Sequence, residues 1–208
     1  IDLSAYTQTG SAGADVTGSS GVNVIVGTDY ADTIRAGEGA DTITGGKGND
    51  SITTGSGADT IILSAVASNG TDTVTDFTSG TGGDKLDVTG LATFSSLGIL
   101  DAGATSTTAS ITKTAASTGT DIANKLLFID DAVTDLAGAI VSSSTNAKYD
   151  LASGANAIIV YGDMAGTNVD LVVKHVVGGG SDAETITDIA ILKGVDATAF
   201  IDANFIIA

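Results

Sequence analysis

The sequence predicts an all-β fold: a parallel β-roll of nine-residue repeats over 1–90, followed by a β-rich capping unit over 91–208. Three observations predict it. First, Asn23, Asp32, Asp41, Asp50 and Asp59 recur every nine residues, and Ile25, Ile34, Ile43, Ile52 and Ile61 recur in the same register. Second, 28 Gly but no Pro, Cys or Trp suit tight turns stacked on thin, repetitive layers. Third, short runs of Val, Ile, Leu and Phe beyond residue 120 have the length and composition of strands.

The repeat divides into GSSGVNVIV (18–26), GTDYADTIR (27–35), AGEGADTIT (36–44), GGKGNDSIT (45–53) and TGSGADTII (54–62). In each unit the first six residues make a turn and the last three a short strand with its large apolar residue inward. A three-residue strand has no stability alone, so two units form one coil and coils stack through parallel ladders. Alternate turns then share an edge. Asp41 is expected above Asn23 and below Asp59, and Asp50 above Asp32.

Stacked carboxylates a few Å apart repel strongly in a half-dry site. A hard cation that takes six to eight oxygens removes the repulsion. The turn offers one carboxylate at position six and carbonyls from its Gly-rich stretch. Ca²⁺ fits that donor set better than Mg²⁺, which demands stricter octahedral geometry. The acid composition agrees: only Glu38 and Glu184 are Glu, so nearly all the negative charge is Asp, a turn former and compact oxygen ligand.

These repeats resemble the RTX family of secreted proteins. The resemblance rests on Gly37-Glu38-Gly39-Ala40-Asp41, Gly46-Lys47-Gly48-Asn49-Asp50 and Gly55-Ser56-Gly57-Ala58-Asp59, each followed by Ile two residues on. G-G-x-G-x-D-x-U-x, with U a large apolar residue, is that family's established calcium-binding nonapeptide. The resemblance implies several bound calcium ions. Their expected pairs are Asp41/Asp59, Asp32/Asp50 and Asn23/Asp41, with carbonyls from Gly37, Gly39, Gly46, Gly48, Gly55 and Gly57. Thr28 and Tyr30 depart from the pattern, as does Asn23, and mark an end of the array. Gly13-Ala14-Asp15 is a more decayed turn, one residue out of register.

After Ile61 the period slips. Gly70-Thr71-Asp72-Thr73-Val74 is a half-repeat that places Asp72 on the Asp50 edge. Asp76-Phe77 and Gly83-Asp84-Lys85-Leu86-Asp87-Val88 resemble the capping segment of RTX rolls, with Phe77 plugging the core. Asp76, Asp84 and Asp87 are candidates for a further ion.

Beyond residue 90 the expected strands are Lys125–Ile129, Ala157–Tyr161, Val169–Val176, Thr185–Leu192 and Asn204–Ile207, with a hairpin turn at Gly162–Thr167. Leu91–Leu100 and Val133–Val141 read as short helices, and 102–120 as a loop. Without a long linker, this unit is expected to pack end-on against the roll. The hairpin, Ala190–Val195 and the ending Asp202-Ala203-Asn204-Phe205-Ile206-Ile207-Ala208 resemble C-terminal targeting regions of type I secreted proteins. The start at Ile1 reads as a piece of a longer protein. Low aromatic content with abundant Ala, Ser, Thr, Gly and Asp resembles bacterial S-layer proteins.

Charge excludes other classes. Eight Lys and Arg against 25 Asp and Glu give a net charge of −17, so there is no basic face for nucleic acid or anionic membrane. No apolar run approaches the ~18 residues of a membrane span. Without Cys there is no disulfide or thiolate site, and no H-E-x-x-H, G-x-S-x-G or Walker A motif occurs. The single His, His175, reads as a strand residue. The expected function is non-catalytic: calcium-dependent folding, export through the type I machinery and assembly on the bacterial surface. The alternatives are the secretion tail of a protease or lipase, or an adhesin module that binds polysaccharide.

Overall fold

The computed structural model describes residues 1, 12–63, 70–91, 98–99, 120–121, 125–130, 149–150, 156–162, 167–177, 185–199 and 204–206. The chain is strand-rich, and its first third is a parallel β-roll.

One wall of the roll is a five-stranded parallel sheet. Its strands, in spatial order, are β2 (Val24–Val26), β4 (Thr42–Thr44), β6 (Thr60–Ile62), β8 (Lys85–Asp87) and β16 (Phe205–Ile206). The other wall begins with β1 (Asp15–Thr17), β3 (Thr33–Glu38), β5 (Ser51–Ser56) and β7 (Asp72–Val74). It continues without a break into β15 (Thr185–Val195), β14 (Val169–Val177), β13 (Asn156–Gly162), β11 (Lys125–Asp130) and β9 (Gly98–Ile99), nine strands in all. β10 (Thr120–Asp121) and β12 (Tyr149–Asp150) form a separate parallel pair.

The core is two apolar ladders. On one wall Val16, Ile34, Ile52, Val74 and Leu192 lie in register, and on the other Ile25, Ile43, Ile61, Leu86 and Phe205 do. Every one of them is buried. The nine-residue spacing produces this alignment, because each coil of two units returns the same apolar position to the same wall. β3 and β5 are six residues long rather than three, because pairing runs on into the next turn as far as Gly37↔Gly55 and Glu38↔Ser56.

Glycine is required where these turns touch. Gly46 has φ +108° and Gly55 φ +95°, a region that L side chains rarely adopt. A Cβ on Gly46 would lie 2.0 Å from the Thr28 carbonyl oxygen, and one on Gly55 1.8 Å from that of Gly37. The turns stack backbone on backbone.

The far end of the roll is built from the other end of the chain. β15 pairs parallel with β7, placing Ala190 opposite Asp72 and Leu192 opposite Val74. β16 pairs parallel with β8, placing Phe205 opposite Leu86. Thr71 and Ser79 donate their hydroxyls to the carbonyls of Asp188 and Asp196, and the Asn204 amide donates to the Asp84 carbonyl at 2.7 Å. Phe77 is buried in the same core, but Leu192 and Phe205 supply the last rung on each wall.

The strands expected beyond residue 120 are present within one to three residues of their bounds, and β13–β14 and β14–β15 are antiparallel. Of the short helix expected over Leu91–Leu100, residues 92–97 and 100 lie outside the described residues, and Gly98–Ile99 form β9 instead, parallel to β11. Gly98 favours helix weakly, and the side of β11 not paired with β13 supplies backbone partners. The segment 133–141 lies outside the described residues, as does the loop expected over 102–120 except for Thr120, which begins β10. His175 is in β14, buried, and burial holds its pKa below the ordinary value.

Candidate metal centre

The turns place carboxylates in two stacks. In one, the Asn23 N–H donates to Asp41 Oδ1 at 2.7 Å, the Asp41 N–H to Asp59 Oδ1 at 2.7 Å, and the Asp59 N–H to Asp84 Oδ1 at 3.0 Å. In the other, the Ala14 N–H donates to Asp32 Oδ1 at 2.6 Å, the Asp32 N–H to Asp50 Oδ1 at 2.7 Å, and the Asp50 N–H to Asp72 Oδ1 at 3.1 Å. One oxygen of each carboxylate thus locks its turn onto the turn below.

The second oxygen defines the site. Oδ2 of Asp41, Asp50 and Asp59 is buried and accepts no hydrogen bond, and these residues are 1%, 2% and 0% exposed. Leaving a buried acceptor without a donor costs about 1–3 kcal/mol, and more when it is charged. Burial is the largest cause that pushes Asp50 and Asp59 from 3.8 up to about 6, with repulsion from Asp32 on Asp50 and from Asp84, Asp41 and Asp76 on Asp59 adding to it. Asp84 is also raised, first by burial. At neutral pH Asp50 and Asp59 are still mostly ionised, and a cation would offset their charge.

The donor set fits a hard one. A Cβ on Gly45 would lie 2.1 Å from Asp50 Oδ2, so only Gly leaves room for that carboxylate beneath the turn. Backbone carbonyls of the Gly-rich stretches would supply the remaining oxygens of such a site, and Gly37, Gly39, Gly46, Gly48, Gly55 and Gly57 in those stretches all have positive φ. Among the described residues no three His, Cys, Asp or Glu side chains converge on one point. Stacking explains this, since parallel rungs about 4.8 Å apart bring carboxylates together two at a time.

The remaining predicted ligands divide. Asp72 joins the Asp50 stack. Asp84 continues the Asp41/Asp59 stack, a placement the 25-residue interval conceals, although Asp84-Lys85-Leu86 repeats the D-x-U pattern. Asp76 and Asp84 meet around the Thr54 hydroxyl, which lies 3.0 Å from Asp76 Oδ1 and 3.4 Å from Asp84 Oδ2. Asp76 also accepts the N–H groups of Thr54 and Gly55. Asp87 is not brought to them: its carboxylate accepts the N–H and hydroxyl of Thr89 at 2.9 and 2.7 Å. Asp15 sits one residue past the stacking position and pairs with Arg35 at 2.6 Å on the surface.

A parallel roll whose turns stack Asp on Asp over paired Gly defines a calcium-binding repeat array. A family model of RTX calcium-binding nonapeptide repeats, four copies, matches residues 17–52 and 36–65. The array is of RTX type, and RTX nonapeptide repeats bind calcium ions. Proteins that carry such repeats are typically secreted by bacteria. No curated protein matches the chain.

Proposed function

We propose that this chain is a non-catalytic, calcium-folded region of a large secreted bacterial surface protein, S-layer-like in composition, serving export and surface assembly. The observation that supports calcium-dependent folding is the set of three buried Oδ2 atoms on Asp41, Asp50 and Asp59 without a donor, while export and surface assembly rest on the resemblance of the repeats and of the composition. The folded roll is incomplete without cations.

Asp41, Asp50 and Asp59 hold calcium between stacked turns with carbonyls of the Gly-rich stretches, and Asn23, Asp32 and Asp72 position those turns from the adjoining rungs. Bound calcium supplies the positive charge that offsets carboxylate repulsion and desolvation. Where calcium is scarce, as in a cytosol, repulsion among the stacked carboxylates, in a chain of net charge −17, keeps the repeats expanded. Outside the cell, calcium binds the folded state alone and stabilises it by mass action. Extracellular calcium modules work at about 10⁻⁴–10⁻³ M, which suits a switch thrown on exit. Folding on the far side then favours one-way passage through the type I export machinery, and the folded roll joins a cell-surface lattice.

The test is made on the full chain, because β15 and β16 complete the roll. Circular dichroism is recorded in chelator and in millimolar calcium, with electron microscopy of the calcium form. Strand signal that appears with calcium, followed by ordered assemblies, supports the reading. A folded chain that stays monomeric removes the lattice role.

A further inference from the structure

The stacked carboxylates are of two kinds. Those of Asp41, Asp50 and Asp59 use Oδ1 for the turn below and leave Oδ2 without a donor. Asp32 is as buried, at 2% exposed, yet both its oxygens are occupied. Its Oδ2 accepts the Thr28 N–H at 2.6 Å, and its Oδ1 accepts the Thr28 hydroxyl at 2.8 Å and the Ala14 N–H at 2.6 Å.

The difference lies at the second position of the turn. The central turns carry Gly37, Gly46 and Gly55 there, at φ +112°, +108° and +95°. Thr28 holds that position in its own turn, and a β-branched residue is excluded from that region. Its peptide N–H points onto the carboxylate, and its hydroxyl adds a second donor. The far end of the array has a similar arrangement. Asp84 accepts the N–H of Asp59 and of Thr78 and lies 3.4 Å from the Thr54 hydroxyl. Beyond Asp32 and Asp72 the stacking position passes to Ala14 and Ala190.

We infer that Thr28 supplies to Asp32 the contacts that calcium supplies in the central turns, and so fixes where the calcium ladder stops at its N-terminal end. This rests on the calcium reading of Asp41, Asp50 and Asp59. The turn 27–32 is a stacking platform locked by protein donors, and Asp32 is a positioning residue rather than a calcium ligand.

Calcium stoichiometry of the full chain, measured by equilibrium dialysis, tests it. Asp32→Asn is expected to leave the ion count unchanged, and Thr28→Gly, which restores the repeat pattern, to add one ion per chain. That added ion is expected to vanish in Thr28→Gly/Asp32→Asn. A count that falls by one in Asp32→Asn, or stays unchanged in Thr28→Gly, overturns the inference. Asp50→Asn serves as the control and is expected to lose one ion. If it loses none, the calcium reading of the central turns fails, and the role given to Thr28 falls with it.

Discussion

Asp50 and Asp32 lie one coil apart, and Asp50 Oδ1 accepts the Asp32 N–H at 2.7 Å while Asp50 Oδ2 accepts nothing. One oxygen of this carboxylate is a lock, and the other is the calcium ligand in the proposed function. It is also held from above, because its own N–H donates to Asp72. Substitution there removes a stacking bond and a cation contact together, in the middle of an array where each unit depends on its neighbours.

Asp50→Ala is therefore expected to raise the calcium midpoint of folding by about tenfold or more, equivalent to about 1.4 kcal/mol or more. Asp15→Ala removes only an exposed pair with Arg35, in which the side chains are 72% and 52% exposed, and is expected to leave the midpoint nearly unchanged. Calcium titrations followed by circular dichroism compare the two. Equal shifts would contradict the two-stack arrangement.

Acid is expected to act in opposite directions with and without calcium. In chelator, Asp50 and Asp59 rise from 3.8 to about 6 on folding, so the folded state binds protons more tightly than the unfolded one. The stability they contribute is present below about pH 4 and is lost as pH rises to about 6. The calcium-free roll is thus stabilised on going from pH 7 to pH 5. With calcium the same protons compete for the ligand oxygens, so affinity falls over that interval. Far-UV circular dichroism in chelator, expected to show more β signal at pH 5 than at pH 7, and calcium titrations at both pH values check the two signs.

Removal of residues 185–208 takes away β15 and β16, the last rung of each wall. Val74 and Leu86, both fully buried in the complete chain, then face solvent. The truncated chain is expected to need more calcium to fold and to be cut by protease at calcium concentrations that protect the full chain. Unchanged midpoint and protection would show that the roll is closed by other means.

Much of this was legible in the sequence because the roll is periodic. Five Ile at nine-residue spacing define both walls, and the D-x-U pattern places each carboxylate two residues before its core residue. The half-repeat at Asp72 was visible for the same reason. Asp84 was harder, because its coil is longer and the spacing no longer marks its partner. The closing rungs were not readable: Leu192 and Phe205 meet Val74 and Leu86 more than a hundred residues away, and Ala190 carries no Asp to betray its place in the stack. Thr28 read only as a missing Gly, because its effect depends on where its N–H points. The orphaned Oδ2 atoms follow from burial, which spacing alone does not reveal.

Calcium is expected to complete the roll. Far-UV circular dichroism of the full chain, titrated from excess chelator into millimolar calcium at pH 7, tests it most directly. The expected result is a cooperative gain of β signal that reverses on re-adding chelator and is absent with the same concentration of magnesium. A full β spectrum in chelator, unchanged by calcium, would contradict it.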